Sequence, residues 1–430
     1  MILTEDVLEM DFLKIPDDTN YWFVRAGSKA EFFQDFNYNN YIAIGDNEIK
    51  LEELKGIENR YRVTDDSIRQ QYKNIFNEKY VSLFEKSPRY NSMSKSEQAD
   101  EIEKVRRSST IAANKTALFI ENMNIGDYIL VPYKRSELFL LGIVVSDVFD
   151  DPIDHAYFGK DFEYSICDYE KKRRIVWLKE IALSELPESL LWIQTGHKAI
   201  FDITKNANDI NPIISSQYIY KGLINLRVDV GTHEKINSRT WLNYQSLINN
   251  SVGEQAENLY QKNKVQSQGH TLLQVVMENW EPIAIVGAAL FFEPDIDVKG
   301  VKFKWHGPLS FLIPGSKKRR ENAKKIAALE MELKEEELKS VKLDNELKEV
   351  ELEEKKNSLQ EIVGKQSLFE TTEVSTNIRD ELYIPSKNEQ EAKQQMEISQ
   401  KSLGSVVSLE RQTEILNLVN SQPSEKDKGE

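Results

Sequence analysis

Tyr21-Trp22-Phe23-Val24-Arg25-Ala26-Gly27 is the stretch on which the fold reading turns. A run of bulky apolar residues stopped by a small residue and a glycine reads as a strand entering a turn. Working outward, 30–36 is long enough for one helical turn, and Tyr41-Ile42-Ala43-Ile44 reads as a second strand stopped by Gly45-Asp46. From 51 to 117 the periodicity is helical. Ile68, Tyr72, Ile75 and Phe76 recur at three- and four-residue spacing, which places them on one helix face. Ser87-Pro88 interrupts this pattern, and a polar helix resumes toward Phe119. Strands return at 127–132, 138–148, 174–178 and 198–203, and the Asn/Asp-rich stretch 206–211 reads as a linker.

The segment 1–19 is read as an N-terminal extension and 212–316 as a smaller mixed module. Within that module 241–260 and the start of 270–292 read as helical, with Pro282 kinking or ending the second helix. Val301-Lys302-Phe303-Lys304-Trp305 alternates like a half-exposed strand. Residues 317–363, dense in Lys, Glu and Leu, predict a long charged helix. Its apolar steps are irregular, so a coiled-coil dimer and a solvated helix held by Glu–Lys pairs both remain open. The Ser/Gln/Glu/Lys-rich stretch 364–430 reads as mostly disordered.

Composition narrows the function classes. The 430 residues carry a formal charge of −15, which argues against sequence-blind nucleic-acid binding over a broad basic surface. A single cysteine, Cys167, excludes both a disulfide framework and a Cys-rich zinc site, and burial is its simplest reading. The start of the chain lacks a signal-peptide pattern, and the most apolar stretch, 283–292, falls short of the roughly 20 residues a spanning helix needs. A soluble, cytoplasmic protein without a transmembrane segment is expected. Peripheral membrane contact is not expected, because 300–315 reads as a hairpin packed on the middle module.

Five segments in order carry a resemblance. They are 21–27, Ile42-Ala43-Ile44-Gly45, Gly126-Asp127-Tyr128-Ile129-Leu130, Leu141-Gly142-Ile143-Val144 and Arg173-Arg174-Ile175-Val176-Trp177-Leu178. Together, over about 20–206, they resemble the EVE-like, PUA-superfamily domain at the N-terminus of Mrr-type restriction-system proteins of bacteria. The resemblance implies a β-barrel with a helical insertion, and a pocket that accepts a modified base of DNA or RNA. Two departures stand out. Relatives carry a tryptophan after the Ile-Gly step where this chain has Asp46, and the insertion between Glu48 and Gly126 is longer.

A flipped base offers two π faces and a polar edge, so a reader needs aromatic walls and fixed donors. Trp22, Phe32, Phe33 and Trp177 are the candidate walls, Arg25 the candidate donor, and Asp46 borders the same place. Lys171, Lys172, Arg173 and Arg174 are candidates for the nucleic-acid backbone. Each has a plainer reading. Strand tryptophans fill cores, Arg25 can pair internally, and a basic run beside acids can be a solvated loop. Gly27, Gly45 and Gly142 are read as turn glycines.

No catalytic pattern accompanies this constellation. Asp295, Asp297 and Lys299 form an Asp-x-Asp-x-Lys string without the strand context or second acid of a nuclease. No phosphate-binding P-loop or nucleophile elbow is present, and the histidines are scattered, so neither a metal nor a cofactor is expected. The expected fold class is α+β: a PUA/EVE-like barrel with a helical insertion, a smaller mixed module, a long charged helix and a disordered tail. The expected function is a non-catalytic sensor in restriction-type antiviral defence, which reads modified nucleic acid or a nucleotide-like ligand. It would signal to a partner protein, or to itself, through 317–363. The alternative is a protein–protein scaffold without a pocket.

Overall fold

The computed structural model describes residues 2–4, 7–55, 65–151, 164–196, 198–264, 269–292, 300–310, 366–368, 370–376, 383–400 and 402–408. The expected helix 317–363 and the string Asp295, Asp297 and Lys299 lie outside them. The protein is mixed α+β. It has two curled sheets, one of them a half-barrel, and several helices. The chain divides into two units. One combines Met1–Thr19 with Asn208–Ser405, and the other combines Asn20–Ala207 with Val406–Glu430.

In the first unit the strands run Tyr260–Lys264, Gly269–Val276, Leu223–Val230, Gln217–Tyr220, Val7–Lys14, Gly300–His306 and Thr371–Thr376. The stretch read as an extension therefore supplies a central strand. Val7–Lys14 lies parallel to Gly300–His306 and Gln217–Tyr220, with Met10 beside Phe303 and Leu13 beside Tyr218, and antiparallel to Ile2–Thr4. Alternation explains the placement. Met10 and Phe12 are fully buried, Phe12 stacking on Phe303 at 4.7 Å, while Glu9 and Asp11 on the other face meet Lys304 and His306 at 3.4 and 3.3 Å.

Two readings of this region are corrected. Gly269–Val276 is a strand paired along Leu223–Val230 rather than a helix. Pro282 opens the following helix, Glu281–Phe291, where a missing amide hydrogen costs nothing, instead of breaking it. The helix Ser238–Val252 begins where Asn237 Oδ1 accepts the Thr240 N–H at 2.9 Å, and it packs on Glu281–Phe291. The stretch 206–211 holds the boundary between the two units, but it is helical rather than irregular. It leads into the helix Ala207–Ile214, whose Ile210, Ile213 and Ile214 are buried. Parts of the stretch read as disordered are ordered as well. Thr371–Thr376 pairs with Gly300–His306, and the helix Lys387–Gln395, capped by Ser386, packs on Ser238–Val252.

In the second unit the long strand Lys171–Ala182 organises the sheet. Its first four residues pair with Tyr41–Ile44, and its remainder pairs with Leu138–Val144. Leu138–Val144 continues to Tyr128–Pro132, Tyr21–Val24 and Ile200–Asp202. Gly142 is no turn residue. It sits at a bulge in mid-strand, where a Cβ would lie 2.5 Å from Ile175 and 2.6 Å from the Trp177 ring, so only glycine admits that tryptophan. The insertion consists of the helices Asp65–Glu85 and Lys95–Ala117, which pack together. The second is capped at Ser94 and runs into the π turn Leu118–Asn122. The ends of this unit meet: Tyr21 and Ile203 bond through the Ile203 N–H and the Tyr21 carbonyl at 2.8 Å.

Candidate functional site

Most of the expected site is core. Trp22 is buried, and its Nε1 donates to Asp127 Oδ2 at 2.9 Å. Trp177 is fully buried and donates to the Phe36 carbonyl at 3.1 Å. Neither tryptophan lines a cavity described below. Burial of a ring this large, with its one polar atom satisfied, is what a packed core asks of tryptophan.

The basic run 171–174 is no solvent-facing clamp either. It is the start of a buried strand. Lys171 Nζ donates to the Asp46 carbonyl at 2.8 Å, and Lys172 pairs with Asp151 at 2.8 Å while its ammonium lies 4.5 Å from the Tyr41 ring centre. Arg173 donates to the carbonyls of Phe119, Ser146 and Ile120 at 2.9, 3.0 and 3.1 Å, closing the π turn from inside the fold. Burial lowers its pKa to about 10. Arg174 lies over the Phe149 ring.

What opens instead is a pair of adjoining cavities around Arg25. The first, about 410 Å³, is lined by Arg25, Lys29, Lys115, Tyr169 and Gln194 together with the backbone of Gly27, Gly45 and Gly196. The second, about 330 Å³, shares Arg25, Gly27, Lys29 and Gln194 and adds Ala30, Tyr133, Arg135 and Ser136. Both volumes fall in the range of small-ligand sites. Phe32 and Phe33 stand behind the lining. Phe32 meets Tyr169 edge-on at 5.2 Å, and Phe33 packs on Tyr133 at 4.7 Å. Burial pushes the Tyr169 hydroxyl up to about 12, so it stays a neutral donor.

The charges are one-sided. Four cations line the cavities, and no carboxylate among the described residues does. Of the nearby acids, Glu31 accepts the Ser28 N–H at 2.9 Å. Asp46 holds Lys115 at 2.5 Å and accepts from the Tyr80 hydroxyl. Asp46 thus positions a cation of the wall rather than lining either cavity. Arg25 donates to the Gly196 carbonyl, but its buried Nε has no hydrogen-bond partner among the described residues. Burial holds its guanidinium below the ordinary pKa, a sign that solvation has been lost without full replacement.

The backbone is unusual at the same place. Lys29, Ala30, Arg135 and Ser136 all have φ between 53° and 59°. Non-glycine residues held there cost on the order of 1–3 kcal/mol each, and such strain gathers at functional sites. Lys29, Lys115, Arg135, Tyr169 and Gln194 escaped the sequence reading. Nothing in their own few residues marks them; the two turn cations are picked out only by the backbone shape of their turns.

Cys167 has no part in this chemistry. It is buried, and desolvation pushes its thiol up to about 12. We expect a disulfide reagent at mildly alkaline pH to leave the native thiol untouched and to titrate one thiol after denaturation; fast reaction of the native protein would contradict this burial.

Among the described residues, no three His, Cys, Asp or Glu side chains gather where they could hold a metal ion, and no helix is long and apolar enough to cross a membrane. No family model matches the chain, and neither a curated protein nor a solved structure matches it.

Proposed function

We propose that the 20–207 unit is a non-catalytic reader of nucleotide chemistry, taking modified nucleic acid or a nucleotide-like ligand into the Arg25 cavity. The observation that carries this reading is a nucleotide-sized cavity that, among the described residues, is lined by cations and no carboxylate, with a buried guanidinium nitrogen left unbonded. An anion placed there restores the solvation that Arg25 has lost, and a charge-assisted hydrogen bond is the strongest single contact such a pocket can make. Tyr169 supplies an aromatic wall beside it. The setting, an EVE/PUA-type sensor in bacterial antiviral defence that passes its signal to a partner, rests on the order of motifs in 21–178.

The test is binding of labelled single-stranded oligonucleotides, with and without base modifications, across a salt series. Affinity is expected to fall with salt. Arg25→Ala is expected to weaken binding about ten- to hundred-fold, the loss of one hydrogen bond to a charged group, while the melting temperature is retained. Absence of binding at low salt would remove this reading and leave a protein–protein scaffold.

A further inference from the structure

The two cavities belong to one site with two seats, and their walls are built alike. Ser28-Lys29-Ala30-Glu31 and Lys134-Arg135-Ser136-Glu137 are both four-residue turns. In each, the last N–H bonds the first carbonyl: Glu31 to Ser28 at 3.1 Å and Glu137 to Lys134 at 3.4 Å. In each, both central residues are left-handed, the arrangement of a type I′ turn. That turn ordinarily takes Asn-Gly, which sits there without strain. Here a basic residue followed by a small one occupies the strained pair twice, and the two turns touch. Turn formation alone gives no reason to put Lys and Arg in these positions. Presenting two cations to one cavity does, because the left-handed backbone is what holds their side chains at its wall.

The second turn matters most. Lys115, in the first cavity, is matched by Asp46. Arg135 is exposed, lines only the second cavity and has no carboxylate partner among the described residues. Arg25 and Lys29 are shared between the seats. A ligand with one anionic group satisfies the first seat and leaves Arg135 idle.

Building on the reader proposed above, we infer that the site takes an anion bearing two phosphate groups, one in each cavity, with Arg25 and Lys29 between them. Two sources share this chemistry: consecutive phosphates of a single strand, and a free nucleoside diphosphate. The ligand of the second seat is recognised through the Arg135 fork, which suits a phosphate better than an ammonium does.

The experiment is calorimetric titration of the full chain with adenosine monophosphate, adenosine diphosphate, a dinucleotide with its single internucleotide phosphate, and the same dinucleotide phosphorylated at its 5′ end. The two-phosphate ligands are expected to bind about ten-fold tighter or better than their one-phosphate counterparts. Arg135→Gln is expected to remove that advantage, weakening the two-phosphate ligands about ten-fold more than the one-phosphate ones. Arg135→Asn relaxes the left-handed position, so it is expected to lose the same advantage with an unchanged or raised melting temperature, an outcome that a merely structural arginine would not give. Preference for the phosphorylated dinucleotide over the diphosphate identifies a strand, and the reverse a free nucleotide. Equal affinity for one- and two-phosphate ligands, or an equal loss for all ligands in the Arg135 variants, overturns the inference and leaves the reader standing. No binding of any of the four overturns both.

Discussion

Asp127→Ala is expected to lower the stability of the 20–207 unit by about 3–5 kcal/mol, enough to unfold much of it at ordinary temperatures. The carboxylate is fully buried and gathers several donors. It accepts the Asn20 N–H at 3.0 Å, the Asn124 N–H at 2.8 Å and Trp22 Nε1 at 2.9 Å. Alanine leaves those donors without their acceptor, and each buried orphan costs about 1–3 kcal/mol. Asp127→Asn keeps the volume and one acceptor, so its loss is expected to be about half as large. Denaturant melts followed through tryptophan fluorescence measure both. A midpoint unmoved by Asp127→Ala would mean that Trp22 is not anchored this way and is available as a pocket wall after all.

Arg173→Ala is expected to cost a similar amount, about 3–5 kcal/mol. Three main-chain carbonyls lose their shared donor, and two of them end the helical insertion at its π turn. Arg173→Met restores most of the volume but none of the hydrogen bonds, so it is expected to recover only the packing share of the loss. Nucleotide affinity of whatever remains folded is expected to match the parent, because Arg173 faces inward. A variant that stays as stable as the parent yet binds nucleic acid more weakly would reinstate 171–174 as a phosphate contact and displace Arg25 and Arg135 from that role.

The contrast between Arg173 and Arg135 shows where sequence was informative. Local patterns read well: Tyr41–Ile44, Tyr128–Pro132, Leu138–Val144 and Gly300–His306 are strands because β-branched and aromatic residues mark them within their own few residues. Features set by distant partners did not read. Four consecutive basic residues look solvated, and only carbonyls some fifty residues earlier turn Arg173 inward. Gly269–Val276 has an apolar run that fits helix or strand, and its pairing with Leu223–Val230 decides. Val7–Lys14 needs a neighbour at 300–306 before its alternation means anything.

The site was half legible for the same reason. Arg25 follows a strand and precedes a glycine turn, a visible signature, and it does line the cavities. The aromatic residues were chosen by type, and type does not separate a wall from a core. Trp22 and Trp177 went inward, while Phe32 and Phe33 buttress Tyr169 and Tyr133 from behind. Lys29 and Arg135 carry no pattern of their own. Their likeness emerges only once both turns are seen to share a backbone shape.

The central position of Val7–Lys14 bears on how the chain is made. Ribosomes emit protein from the N-terminus at roughly 5–20 residues per second, so this strand emerges tens of seconds before 300–306 exists to lie beside it. During that wait the 20–207 unit, whose own ends already meet, has all it needs to close except the short segment after 405. The order of birth therefore has the 20–207 unit finished first, with an amphipathic strand ahead of it still lacking its 300–306 neighbour. A stall or cleavage before residue 300 would release a molecule whose 20–207 unit is closed but whose Val7–Lys14 strand has one bare edge, a substrate for chaperones rather than a finished protein.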